Sequence, residues 1–262
     1  MRRIMTAIAM SFLLSASYAA EPAGRILVVQ DEMPQMEVLG KYLESKGYVI
    51  DFVSTKEEMP DTATFDAIVV FVHGQFPQDQ AEAVIDFTKK GGRTLCLHHT
   101  ISSAKRKTPV WLEFLGMRLP EPLRKPLEGG YGWQHGVDLH LVNLAPDHYI
   151  TSNKVEYPHK VEYKRSDVDE AARTRPCLVF PDSEVFLNHQ FSDENKTILF
   201  GFTASHPDIG EKTWIQDRGG WLKPTGKGWA LYFMPGHIAE DLENPNYQQI
   251  ILNCLTWKPK SK

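Results

Sequence analysis

Ten histidines stand among the 262 residues of this chain, and several of them fall where apolar, strand-like runs end. Val69-Val70-Phe71-Val72 runs into His73-Gly74, and Leu95-Cys96-Leu97 runs into His98-His99-Thr100. Leu231-Tyr232-Phe233-Met234-Pro235-Gly236 runs into His237. His135 stands in Gly132-Trp133-Gln134-His135-Gly136, which reads as a glycine-rich loop able to reach over the same rim. Imidazoles brought together serve acid–base chemistry or hold a divalent metal. The candidate catalytic residues are therefore one of His98 and His99, with His135 and His237, and the same three positions are the candidate ligands if a metal is present. His73 joins them as a candidate substrate contact, with Asp31 and Glu32, which follow the first strand-like run, as the carboxylates. Neighbours in an extended chain point to opposite faces, so one of His98 and His99 is expected to face the site and the other to pack sideways. His140 falls inside a strand-like run and reads as structural, whereas His159, His189 and His206 lack a supporting context.

Large rings in polar surroundings suit the apolar faces of a sugar. Trp133, Trp214 and Trp221 all lie in polar, glycine-containing stretches that read as loops, and Trp133 and Trp221 are the candidate substrate contacts. The competing reading is that each ring caps the core under a long loop.

These groups need a scaffold. Ile26 to Val29 forms the continuous apolar run of a buried parallel strand. Residues 37–46 then carry Val38, Leu39, Tyr42 and Leu43 at helical spacing, stopped at Gly47. Further strands are expected at 48–53, 65–72 and 94–97, with a helix over 78–90 closed by Gly91-Gly92. Strands alternating with single helices predict an α/β fold with a doubly wound, mostly parallel sheet. Ligands of such sheets bind outside the carboxyl ends of the strands, where the histidines sit. From about 109 to 193 the pattern loosens into short strands at 137–142, 177–180 and 185–187. Strands at 197–203 and 229–234 and a closing helix over 247–257 restore it. No repeat or low-complexity block appears, so one domain with an elaborated middle segment is expected over residues 20–262.

A formal net charge of -4 argues against a non-specific nucleic-acid binder. Arg2 and Arg3 precede an apolar run from Ile4 to Leu14, and Ser17-Tyr18-Ala19 offers small residues for cleavage. Residues 1–19 are read as a signal peptide, too short in its apolar run for an anchor that needs ~20 residues. A secreted, periplasmic protein without a membrane anchor is expected. Three cysteines cannot build a disulfide framework. Cys96 and Cys254 read as small buried hydrophobes, and the odd count leaves at least one thiol unpaired, with the pairing of Cys96, Cys177 and Cys254 open. The chain has no G-x-S-x-G, Walker, H-E-x-x-H or C-x-x-C signature.

Two strands carry a resemblance. Lys90-Gly91-Gly92-Arg93-Thr94-Leu95-Cys96-Leu97-His98 resembles the "GGG-x-x-G-[IL]-H" strand of the ThuA-like, or trehalose-utilization, family. Gly226-Lys227-Gly228-Trp229-Ala230-Leu231-Tyr232-Phe233-Met234-Pro235-Gly236-His237 resembles its "GKGRVFY-x-x-x-GH" strand, with Trp229 in place of the arginine. Asn244-Pro245 through Trp257 is similar to its closing segment, and Asp147-His148 to its "D-HP-I" turn, with Tyr149 for the proline. His135 fits the histidine that follows the family's "LGG-x-F" segment, here at Leu115-Gly116-Met117. Lys160-Val161-Glu162-Tyr163 echoes its "DE-x-Y" segment, and Gln30-Asp31-Glu32 stands where the family often has a histidine. The resemblance covers essentially the whole chain after the leader. It implies a flavodoxin-like sheet of the class I glutamine amidotransferase-like type without the cysteine nucleophile, so no amidotransferase, and it favours His98 over His99 at the site.

The resemblance further implies disaccharide catabolism by way of 3-keto-glycosides. A 3-keto group acidifies the neighbouring C–H, so one imidazole as base and a second as acid would carry elimination, isomerisation or hydrolysis of a keto-sugar. A divalent metal polarising the ketone is the alternative route. A rival of another class is a non-catalytic sugar- or partner-binding module that keeps the fold. A structural role in an envelope complex is a third reading, for which the chain offers no exposed apolar helix or repeat.

Overall fold

The computed structural model describes residues 23–259; the leader-like residues 1–19 lie outside them. The chain runs through β1 (Gly24–Gln30), α1 (Met33–Ser45), β2 (Tyr48–Ser54), β3 (Ala67–Phe71), α2 (Gln78–Lys89) and β4 (Arg93–Leu97). It continues through α3 (Pro109–Leu115), β5 (Met117–Arg118), β6 (Gly132–Asn143), α4 (Tyr149–Ser152), β7 (His159–Tyr163), β8 (Arg173–Leu187) and β9 (Gln190–Phe191). β10 (Thr197–Ala204), β11 (Trp214–Thr225), β12 (Gly228–Phe233) and α5 (Pro245–Thr256) complete it.

One ten-stranded sheet organises the molecule, in the order β2-β1-β3-β4-β12-β11-β10-β6-β8-β7. Strands β2, β1, β3, β4 and β12 are mutually parallel. The central members are apolar throughout: Ile26 to Val29, Ala67 to Phe71 and Leu95 to Leu97 are all buried. Continuous apolar strands need cover on both faces, and Met36, Leu39 and Leu43 of α1, Val84 and Ile85 of α2, and Ile250, Ile251 and Cys254 of α5 bury their side chains in the same core. The order of these five strands is that of a flavodoxin-like sheet, and the fold is α/β as expected.

The elaborated middle becomes the other half of the sheet. Strands β11, β10, β6, β8 and β7 pair antiparallel from β12 outward. The two short runs expected at 177–180 and 185–187 are one strand, β8, irregular where Asp182 takes a φ of 53° and the pairing with β6 shifts register. His135 accordingly lies in strand β6, not in a loop.

Two tryptophans move as well. Trp214 and Trp221 belong to strand β11, and both rings are buried. Trp221 is 1% exposed and packs on Tyr232, with ring centroids 4.3 Å apart. It caps the core and is no substrate contact: polar neighbours in sequence face outward from a strand while alternate positions turn in. The β11–β12 connection is tight at Gly226, with φ 60°, where a Cβ would lie 2.5 Å from the Lys89 carbonyl oxygen. All three cysteines are buried and free, and no helix among the described residues is long and apolar enough to cross a membrane.

Candidate functional site

Above the carboxyl ends of β1, β3, β4 and β12 lies a cleft of about 620 Å³. Its lining includes Asp31, Glu32, His73, His99, Trp133, His135, Glu184, Phe186 and His237. Of the expected residues, Asp31, Glu32, His73, Trp133, His135 and His237 are brought together here. His98 lies beneath the cleft, fully buried, and Trp221 lies away from it.

The paired histidines show how the backbone overrides the strand pattern. The chain leaves β4 at Leu97 and His98 adopts φ 39°, opening a 3-10 turn over His98–Ile101. A non-glycine residue in that region stores strain of ~1–3 kcal/mol. The turn cancels the alternation expected of neighbours, so both rings gather inward with centroids 4.3 Å apart. His99, not His98, reaches the cleft.

Glu184 on β8 is the centre of the cluster and was not anticipated. Its side chain is 3% exposed. His98 Nε2 lies 2.8 Å from Oε2, His99 Nε2 3.6 Å and His237 Nδ1 3.5 Å from the same oxygen, and His135 Nε2 3.3 Å from Oε1. His98 is oriented from behind, its Nδ1 donating to the Met234 carbonyl at 2.5 Å. His135 Nδ1 and His237 Nε2 are 3.2 Å apart. Burial works against the Glu184 charge, but the contacts with His237, His98 and His99 outweigh it and hold the carboxyl well below its usual range. Burial, aided by His99, pushes His98 down to about 4. His237 is raised: burial lowers it, and Glu184 more than restores it. A signal for Glu184 existed in the sequence, an acid set in the strand-like run Ser183-Glu184-Val185-Phe186-Leu187.

A second carboxylate, Glu32, sits at the α1 entrance. It pairs with His73 Nδ1 at 2.9 Å and lies 3.0 Å from His99 Nδ1. The two imidazoles hold Glu32 well below the usual carboxylate range, and Glu32 in turn raises His73. Asp31 is spent on backbone: its carboxylate accepts from the His73 and Gly74 amides at 2.6 and 2.7 Å. Lys105 fastens the same loop from below, its buried ammonium donating to the carbonyls of Val72, His73, Gly74 and His99. Asp241 accepts from the Gly236 and His237 amides and from Ser183, fixing the His237 turn against the strand that carries Glu184. Trp133, with the Arg124 guanidinium 4.9 Å over its ring, and Phe186 give the cleft its aromatic wall.

The remaining histidines serve elsewhere. His140 is half-buried in β6, His148 and His206 cap short helical turns, and His159 is exposed on β7. His189 is fully buried, with Nε2 3.2 Å from the Arg218 carbonyl.

Chemically, the cleft offers four imidazoles around one buried carboxylate, a fifth imidazole on a second carboxylate, and an aromatic wall. Such a set can move protons or bind a divalent ion beside a hydroxyl-rich ligand. The fold and site define an α/β protein with a histidine-rich cleft at the strand ends of a flavodoxin-like sheet.

The chain belongs to the ThuA family, described as trehalose utilisation, whose model matches residues 25–258. No curated protein matches it. Among solved structures, a ThuA-like protein from Bacteroides uniformis superposes with TM-score 0.56 at 14% identity, over 94% of this chain and 96% of that one. Agd3, described as a novel carbohydrate deacetylase, gives 0.54 at 12% identity, over 88% of this chain and 32% of that one. A β-galactosidase from Bacillus circulans gives 0.50 at 13% identity, over 88% and 30%. These are likenesses of fold.

Proposed function

We propose that the cleft binds a disaccharide-derived sugar carrying a ketone and catalyses proton transfer on it, opening elimination of the glycosidic bond. The observation that carries this reading is the buried Glu184, ringed by four imidazoles at the floor of an open cleft walled by Trp133 and Phe186. An aromatic wall stacks on the apolar face of a sugar ring, and a cluster of imidazoles accepts and returns protons near neutral pH.

Next to a ketone a C–H proton is acidic enough for an imidazole to remove. As it leaves, the electron pair forms a carbon–carbon double bond and expels the glycosidic oxygen, which takes a proton from a second imidazole. The products are an unsaturated keto-sugar and the free alcohol, with no oxidant consumed. His135, with a side chain 59% exposed, and His73, equally open, are the imidazoles placed to exchange these protons with a ligand. Glu184 and Glu32 orient them.

Membership in a trehalose-utilisation family and the carbohydrate deacetylase among similar folds support a sugar ligand. The leader-like residues 1–19, with Arg2 and Arg3 before an apolar run, support export and action in the periplasm.

The test is a thermal shift of the purified protein with disaccharides and their 3-keto forms, in wild type and Trp133→Ala. The reading expects the keto forms to raise the melting temperature of wild type and to do so less for the variant. A shift with plain sugars alone, and no product, would replace it with the non-catalytic binding module.

A further inference from the structure

The contacts around Glu184 do not carry enough protons. A neutral imidazole brings a single N–H. His98 places its own on the Met234 carbonyl, 2.5 Å from Nδ1, so its Nε2 turns a lone pair on Glu184 Oε2 at 2.8 Å. His237 and His135 make three contacts between them: Nδ1 of His237 with Glu184, the nitrogen–nitrogen contact, and Nε2 of His135 with Glu184. Two neutral rings supply two protons for those three. With the His237 proton on the His135 side and the His135 proton on Glu184 Oε1, Nδ1 of His237 is bare. It indeed makes no hydrogen bond, although it lies 3.5 Å from Glu184 Oε2. His99 lies between two carboxylates, Glu32 Oε2 at 3.0 Å and Glu184 Oε2 at 3.6 Å. With its proton toward Glu32, its Nε2 is a third lone pair facing the same oxygen.

With every ring neutral, three imidazole nitrogens and one carboxylate oxygen thus face one another with no proton between them, a repulsion that added protons on the rings or a bound cation removes. One ligand atom from each of His98, His99, Glu184 and His237 lies within 4.8 Å of the others. Bonds of about 2.05 Å at the tetrahedral angle would put neighbouring ligand atoms about 3.3 Å apart, and the spacings to Oε2 of 2.8, 3.5 and 3.6 Å bracket that figure. A backbone carbonyl stands behind His98 and the His135 ring behind His237, supports of the kind metal sites use, and Glu32 Oε2 faces His99 Nδ1 at 3.0 Å, although neither of those two atoms makes a hydrogen bond. The nearby trio of Glu32, His73 and His99 is different, because Glu32 and His73 satisfy each other at 2.9 Å.

We propose that His98, His99, His237 and Glu184 form a binding site for a divalent transition-metal ion of the zinc type. Three imidazoles with one carboxylate select such an ion over magnesium or calcium, which take oxygen ligands. The site adjoins the cleft through His99 and His237, so a ketone or hydroxyl entering there would meet the ion as a Lewis acid. This inference stands on the ligand geometry alone and does not depend on which sugar, if any, the cleft takes.

The test uses metal ions alone. The full-length mature protein is stripped with a chelator, then titrated with Co²⁺ and Zn²⁺, following the visible ligand-field bands and the melting temperature. Uptake of one Co²⁺ per chain with bands of low coordination number, displaced by Zn²⁺ and accompanied by a rise in melting temperature, is expected. His237→Ala, at the half-exposed edge, should weaken uptake at least tenfold while keeping the fold, and His159→Ala, on exposed β7, should leave it unchanged. No bands and no thermal shift would overturn the site, leaving extra protons as what relieves the cluster. So would uptake that His237→Ala and Glu184→Gln both leave intact. A stripped protein that takes up no metal and still shifts with a keto-sugar would sink the metal site and spare the sugar reading.

Discussion

His135 Nδ1 and His237 Nε2 meet at 3.2 Å over the buried Glu184, tying an open imidazole of the cleft to a half-buried one whose other nitrogen faces the carboxylate. A hydrogen bond between two imidazoles needs one ring to donate and the other to accept, so the tautomers of the two rings are tied together. In the proposed reaction His135 is the residue at which a proton enters from the ligand and passes into the cluster.

Removing that ring should be felt in chemistry rather than in fold. His135→Ala is expected to lower kcat on a 3-keto-glycoside by about 10²- to 10⁴-fold, the usual weight of a general acid or base. The melting temperature should change little, because the side chain is largely exposed. Steady-state kinetics beside a thermal melt of the same sample checks both halves.

The two tryptophans named from sequence should separate cleanly. Trp133→Ala is expected to weaken ligand binding about tenfold, through lost stacking of order 1 kcal/mol, with modest loss of stability. Trp221→Ala empties a fully buried site and should cost about 3–5 kcal/mol. Urea unfolding and ligand titration of both variants measure the contrast.

Lys105 is a test of how the cleft floor is held. Lys105→Met leaves the carbonyls of Val72, Gly74 and His99 without their donor, which should cost about 3 kcal/mol or more. It should also loosen the His73 loop. Denaturant unfolding gives the first, and hydrogen exchange at the His73 and Gly74 amides the second.

Acid sensitivity has a specific contributor away from the site. Burial, with Arg218 nearby, pushes the His189 imidazole down to about 3 from its ordinary value near 6.5. Between those values the unfolded chain binds a proton that the folded one does not, so stability falls as pH drops below 6.5, by up to about 1.4 kcal/mol per pH unit. His189→Gln is expected to flatten this limb of a stability-versus-pH curve measured from pH 7 down to pH 4. An unchanged slope would assign the acid sensitivity to other groups.

Much of this architecture is legible in the sequence where one physical rule acts alone. Ile26 to Val29 and Leu95 to Leu97 are apolar without alternation because parallel central strands are covered on both faces, and they were readable for that reason. The convergence of His73 and His237 follows from strand direction, whereas His135 arrives on antiparallel β6 and not in the expected loop. The failures come where two rules compete. At His98-His99 a positive φ directly after Leu97, where the strand was expected to end, turns the chain, so the alternation rule does not reach this pair. Around Trp221 a strand edged by polar and glycine residues mimics a loop, because an antiparallel strand needs apolar residues only at alternate positions. Glu184 was missed because a carboxylate in a buried strand is informative only once its partners are known, and those lie on the turn after β4, on β6 and on the turn after β12.

The central claim is that the cluster around Glu184 acts on a keto-sugar. The most direct measurement is turnover of a 3-keto-disaccharide, followed by product analysis, in wild type and Glu184→Gln, with circular dichroism confirming that the variant folds. Glu184→Gln keeps the shape and removes the charge that all four imidazoles face. The account expects wild type to release the free alcohol and an unsaturated keto-sugar, and the folded variant to do so at least about 10²-fold more slowly. Equal turnover in both proteins, or none in wild type, would contradict it.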